Sequence, residues 1–243
     1  MSESVQSQRN GCFFSDPSIL DHFIKTADED QLLLALEGPD QALLLRWLSE
    51  PNKQGLFLVS AGRHQWRVLK RMVELGQDPF IRDHCDDTAL TMALLLHERD
   101  ASAERETISY LLDLGLAQTR GATDLTLPLV YTFLARAWMS DGPLTWLKRA
   151  IARGLDLAFV DPSSGISELG FLARERMDNH LATLVDGDWI DLATVSRLRS
   201  EIQDMLPSGY DPNSLPLARA AIDRRLLQTH TPMLMDAGVV RRI

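Results

Sequence analysis

His84-Cys85-Asp86-Asp87 is the densest run of chemically capable side chains in the sequence. Imidazole, thiol and carboxylate can ligate a metal, and a thiol beside an imidazole can form a nucleophile–base pair. Adjacent positions suit neither task. Neighbouring residues in a turn rarely converge on one ion, and no second Cys/His pair supplies the rest of a zinc site. The expectation is a polar turn. Asp83 and Asp87 cap the turn and the helix after it, while His84 and Cys85 face outward. Asp186, Asp188 and Asp191 resemble half of a calcium loop, without its spacing or its later bidentate Glu. Ser163-Ser164-Gly165-Ile166-Ser167 lacks the Gly-x-Ser-x-Gly order of a nucleophile elbow. There is no glycine-rich phosphate loop, and His64, His97, His180 and His230 occur singly. The expectation is a protein with no catalytic residue, no metal site and no cofactor, and therefore not an enzyme.

The elements that carry these residues read as helices. No stretch alternates with a period of two, so the fold class expected is all-α. Pro17–Thr26 has apolar residues at helical spacing behind Asp16-Pro17, a helix start with proline at the first position. Leu32–Leu36 reads as a short helix, paired across Gly38-Pro39-Asp40 with another over Gln41–Leu48. Gly55–Ala61 pairs with Trp66–Leu75. The next pairs run from Thr88 to Gly115, across a charged insertion at His97–Glu106, and from Leu127 to Gly154. Gly76 to Gly115 and Gly115 to Gly154 are each 39 residues, and each glycine follows a helical apolar run. Gly154 to Gly209 is 55, which places an insertion over Asp178–Thr194 inside one enlarged pair. The last pair, Ser214 to Gly238, is short. Trp138 and Trp189 fall in inserted turns, where an aromatic either anchors a partner or folds back over the helices.

Composition narrows the function. The chain has 243 residues, 45% hydrophobic and 24% charged, the profile of a soluble globular protein. Its formal net charge of −9 argues against binding nucleic acid or an anionic membrane, and it fits a partner with a basic face. Two cysteines, Cys12 and Cys85, make no disulfide framework and point to a reducing compartment. Met1–Asn10 lacks a signal-peptide core, and no apolar run reaches the roughly 18–20 residues of a membrane span. A cytoplasmic protein is expected.

Val73–Leu90, Val-Glu-Leu-Gly-Gln-Asp-Pro-Phe-Ile-Arg-Asp-His-Cys-Asp-Asp-Thr-Ala-Leu, resembles the junction between two ankyrin repeats. Asp86 stands where that family has the finger glycine, and Ala89 where it has proline. The resemblance implies a solenoid of about six stacked antiparallel helix pairs with short extended fingers between them. An N-terminal arm and capping helix would cover 1–27. The array would cover 28–243, divided at about 28–54, 55–82, 83–121, 122–160, 161–213 and 214–243. It further implies a protein-binding role for the fingers and first helices. By position, the partner-binding candidates are Arg63, His84, Cys85, Asp86, Asp87, Thr123, Asp124, Trp138, Pro162, Ser163 and Ile166. The expected partner is another folded protein with a basic contact face, bound by a monomer in a 1:1 complex. An inhibitor or immunity protein that neutralises a toxin or enzyme fits this reading. The alternative is a secreted effector or a regulatory adaptor that uses the array for targeting.

Overall fold

The computed structural model describes residues 17–39, 41, 42, 44, 55–83, 85–96, 100–118, 128–135, 142–161, 164–187, 189–205 and 215–228. His84, Thr123, Asp124, Trp138, Pro162 and Ser163, and the helix expected before Gly238, lie outside the described residues. The described chain is all-α, with an isolated antiparallel bridge between Val160 and Ser167 as its extended pairing. No described helix is long and apolar enough to cross a membrane.

Two compact units divide the chain, Met1–Thr126 with Trp138–Asp141, and Leu127–Ala137 with Gly142–Ile243. The first holds α1 (Pro17–Thr26), α2 (Glu29–Glu37), α3 (Leu56–Gly62), α4 (Trp66–Glu74), α5 (Ala89–Leu95), α6 (Ala101–Asp113) and a 3-10 turn at Leu116–Gln118. Here α3 packs on α4 and α5 on α6. From pair to pair, α1 packs on α3, α3 on α5, α2 on α4 and α4 on α6. The second unit holds α7 (Leu129–Leu134), α8 (Pro143–Ala152), α9 (Glu168–Arg174), α10 (Asp178–Asp186), α11 (Leu192–Asp204) and α12 (Pro216–Gln228). In it α7 packs on α8, α9 on α10 and α11 on α12. Between pairs, α7 packs on α9, α9 on α11 and α10 on α12.

Local chemistry sets the helix ends. Asp28 and Thr88 each close a capping box, with Gln31 and Thr91, at the starts of α2 and α5. Asp100, Ser167 and Asp191 cap α6, α9 and α11 with side-chain oxygens. Gly76, Gly115 and Gly154 end α4, α6 and α8 at φ 88, 87 and 95, a left-handed conformation that favours glycine. The N–H of Gln77 donates to Met72 O at 2.9 Å, and that of Leu155 to Ala150 O at 3.0 Å, so the first and third ends have the same helix-terminating geometry. The core is aliphatic and aromatic: Ile24, Leu36, Phe57 and Leu90 in the first unit, Phe133, Trp146, Leu172 and Leu184 in the second, all buried. Each such buried side chain contributes about 1.5–3 kcal/mol of transfer free energy.

Polar bonds between neighbouring pairs repeat at the spacing of the glycines. The N–H of Arg67 donates to Glu29 at 2.8 Å, 38 residues away. The N–H of Val130 donates to the buried Glu168 at 3.0 Å, also 38 away. Asp178 accepts from the N–H groups of Leu217 at 3.1 Å and Ala218 at 2.7 Å, 39 and 40 away. Arg197 donates to Ala158 O at 2.9 Å, 39 away. In three cases a carboxylate from one pair meets the first-turn amides of a helix in a neighbouring pair, groups with no partner inside their own helix.

One expectation is corrected. Asp178–Thr194 is not an insertion: it contains α10, packed on α12, and the cap and start of α11. The glycine spacing misses this because α10, the second helix of its pair, ends at Gly187 in an extended conformation, at φ -78, only 33 residues after Gly154. The predicted division at 213/214 accordingly falls between α11 and α12, which pack on each other. The helix α2 packs on α4 and is bonded to it through Glu29 and Arg67, while most of its expected partner over Gln41–Leu48 lies outside the described residues.

Candidate functional site

The chain leaves α4 at Gly76 and reaches α5 through an extended finger, 77–88, held by its own aspartates. Asp78 Oδ1 accepts from the N–H of Phe80 at 2.9 Å. Asp83 Oδ1 accepts from the N–H groups of Cys85 at 2.8 Å and Asp87 at 2.9 Å. The Asp83 backbone closes the turn, with its O accepting from Asp86 N–H at 3.0 Å and its N–H donating to Asp87 O at 3.2 Å. Asp86 sits at φ 65, and Arg82 Nη1 holds it through its carbonyl at 3.1 Å and its carboxylate at 3.2 Å. An aspartate tolerates this left-handed position, which favours glycine, better than most residues.

A second finger, 155–167, repeats the construction in the second unit. Asp156 Oδ1 accepts from Ala158 N–H at 2.8 Å. Asp161 Oδ2 accepts from the Ser164 hydroxyl at 2.7 Å, and Asp161 O from Gly165 N–H at 2.8 Å. Gly165 lies at φ 67. Gly76, Asp78 and Asp83 correspond to Gly154, Asp156 and Asp161 at a separation of 78, twice the glycine spacing. Asp86 and Thr88 correspond to Gly165 and Ser167 at 79. Ser167 caps α9 by accepting from Gly170 N–H at 2.9 Å and donates to Glu201 of α11 at 2.6 Å. Glycine at 170 leaves room for that carboxylate, which a Cβ would strike.

The chemistry open to these groups is limited. Partial burial, then the Asp83 and Asp87 carboxylates, raise the Cys85 thiol above its ordinary value. It therefore stays protonated at neutral pH and is a poor nucleophile. Asp83 and Asp86 are engaged in building the finger. Among the described residues no three His, Cys, Asp or Glu side chains are grouped to hold a metal ion.

The predicted partner-binding residues separate by position. Cys85, Asp86 and Asp87 lie together in the first finger, and Ile166, half-buried, lies in the second. Arg63 is elsewhere. His64, just after α3, bonds to Leu96 O, just after α5, at 3.1 Å, so these two helices run in the same direction with their C-termini adjacent. The finger enters α5 at the opposite end. Arg63 instead donates to Ile24 O at the end of α1, at 3.5 Å. Trp189 folds back, with Lys148 Nζ 4.8 Å from its ring centre.

Phe80 was not among the predicted residues. It is 43% exposed on the first finger, where the second has Ala158. Its signal was present: an aromatic between Pro79 and Ile81, past the helix end, belongs to no helical stripe that could bury it. No protein-family model, no curated protein and no solved structure matches the chain.

Proposed function

We propose that the chain is a non-catalytic protein-binding module. Its helix pairs stack as an ankyrin-like solenoid, and its fingers and first helices form the surface that recognises another folded protein. The carrying observation is the Asp-braced finger at 77–88, between α4 and α5, which bears an exposed Phe80. A rigid aromatic on a pre-ordered loop loses little entropy on binding and suits a contact anchor. The pair-to-pair bonds at separations of 38 to 40 residues support the stacked reading. A cytoplasmic inhibitor or immunity protein that occludes a toxin or enzyme in a 1:1 complex is the narrower form of this proposal, with an effector or adaptor as the alternative.

Immobilised full chain should retain a discrete protein from lysate of its source cells, and the purified complex should be 1:1 by light scattering. Asp83→Ala, which loosens the finger and leaves the helices intact by circular dichroism, should weaken that complex at least tenfold. Equal affinity for Asp83→Ala and the parent chain would remove the finger from the account.

A further inference from the structure

The net charge is not shared between the two units. The first unit holds 12 Lys and Arg against 21 Asp and Glu, a formal charge of −9, and the second holds 13 against 13, a charge of zero. The whole of the chain's net charge therefore belongs to the unit that carries Phe80. The two fingers also differ at the corresponding point. In the second unit Ala158 has a small side chain, and its carbonyl is taken by Arg197 from α11 at 2.9 Å. In the first unit Phe80 is 43% exposed, and Asp78 fixes its backbone. One finger is joined to the helix stack at this position, whereas the other presents an aromatic ring.

Resting on the protein-binding reading above, we propose that the partner docks on the first unit. It presents a net basic face and takes Phe80 into an apolar socket. The two features have separate kinetic roles. Net charge acts at long range and sets the rate of encounter, and it is screened by salt. A buried aromatic anchor acts after contact and sets the rate of dissociation. Of the finger aspartates, Asp86 adds no net charge to the first role because it is paired with Arg82. Exposed acids such as Glu37 and Glu106 supply much of the field.

The test uses the full chain carrying a benzophenone amino acid in place of Phe80, with a control chain carrying it in place of Leu217, which is 50% exposed in the second unit. The protein cross-linked from position 80 in source-cell lysate is then purified and its binding followed by stopped flow. Its association rate constant should fall at least tenfold between about 0.02 and 0.3 M salt. Glu37→Gln with Glu106→Gln should lower that constant about threefold, and Glu175→Gln with Asp204→Asn in the second unit should leave it unchanged. Phe80→Ala should raise the dissociation rate at least tenfold with little effect on association. A complex that cross-links from position 217 and not from 80, an association rate insensitive to salt, or equal effects of the two charge variants would overturn this inference while leaving protein binding in place. No complex under any condition would overturn both.

Discussion

Removing the Asp178 carboxylate should unlock α12 from α10 without disturbing the first unit. Asp178 opens α10 and reaches the first turn of α12, where it accepts from Ala218 N–H at 2.7 Å and Leu217 N–H at 3.1 Å. A side-chain cap is worth about 0.5–2 kcal/mol. A carboxylate at a helix N-terminus adds about 0.3–1 kcal/mol. The Leu217 bond is solvent-exposed, so water replaces part of what is lost. Together these give about 2 kcal/mol for Asp178→Ala. For Asp178→Asn, which keeps one good acceptor and loses the charge, the cost is about 1 kcal/mol. Amide hydrogen exchange read by mass spectrometry follows the segment itself and needs no assumption that the two units unfold together. At about 1.4 kcal/mol per tenfold, Asp178→Ala should speed exchange across Pro216–Gln228 about thirtyfold, and Asp178→Asn about fivefold. Exchange across α4 and α6 should not change. An Asp178→Ala protein with parental exchange in α12 would show that this bond does not hold the pairs together. Equal acceleration in the first unit would refute its local action.

Gly170→Ala places a methyl group against the Glu201 carboxylate and should displace it from Ser167, at a cost of about 1–2 kcal/mol that the helix preference for alanine, about 1 kcal/mol, partly offsets in thermal melts. Gly170→Ala combined with Glu201→Ala should be milder than the sum of the two single changes. Asp191 has its pKa lowered below the ordinary 3.8, chiefly by the N–H of Thr194 and then by the Thr194 side chain. A depressed carboxylate contributes stability that is fully present above its unfolded pKa and is lost as pH falls through its folded pKa. Urea midpoints should therefore drop less steeply below pH 3.8 in Asp191→Asn than in the parent chain. Cys85, with its pKa raised, should alkylate with iodoacetamide more slowly at pH 7.5 than a free thiol of ordinary pKa. Its rate should climb as pH passes 9.0, and Asp87→Asn should speed it.

Helix content was legible from the 3.6-residue apolar pattern, as Val68, Leu69 and Met72 on α4 illustrate, all of them buried. The 39-residue ruler was legible too, because Gly76, Gly115 and Gly154 do the same conformational task. It failed at the end of α10, where Gly187 is extended and falls 33 residues after Gly154. Arg176, like His64 after α3, takes the left-handed position after the first helix of its pair, so no glycine marked the α9–α10 turn, and α10 was read as an insertion. The finger at Asp83–Asp87 was found from turn chemistry, and Asp83 caps the turn as expected, whereas Thr88 and not Asp87 caps the helix after it. Sequence shows an acidic run, whereas the structure shows Asp83 and Asp86 bonded inward. Phe80 was missed because exposure is a tertiary property. The same residue in a helical stripe would have been core. The bonds from Glu29, Glu168 and Asp178 were illegible for the same reason, since each acts across about 38 to 40 residues.

Amide protection on binding tests the finger account most directly. The full chain is exchanged alone and in complex with the protein recovered from position 80. Binding through the first finger predicts slowed exchange over 77–88, with α2 and α10 unchanged. Unaltered exchange over 77–88, with protection confined to α2, α10 or α12, would contradict it.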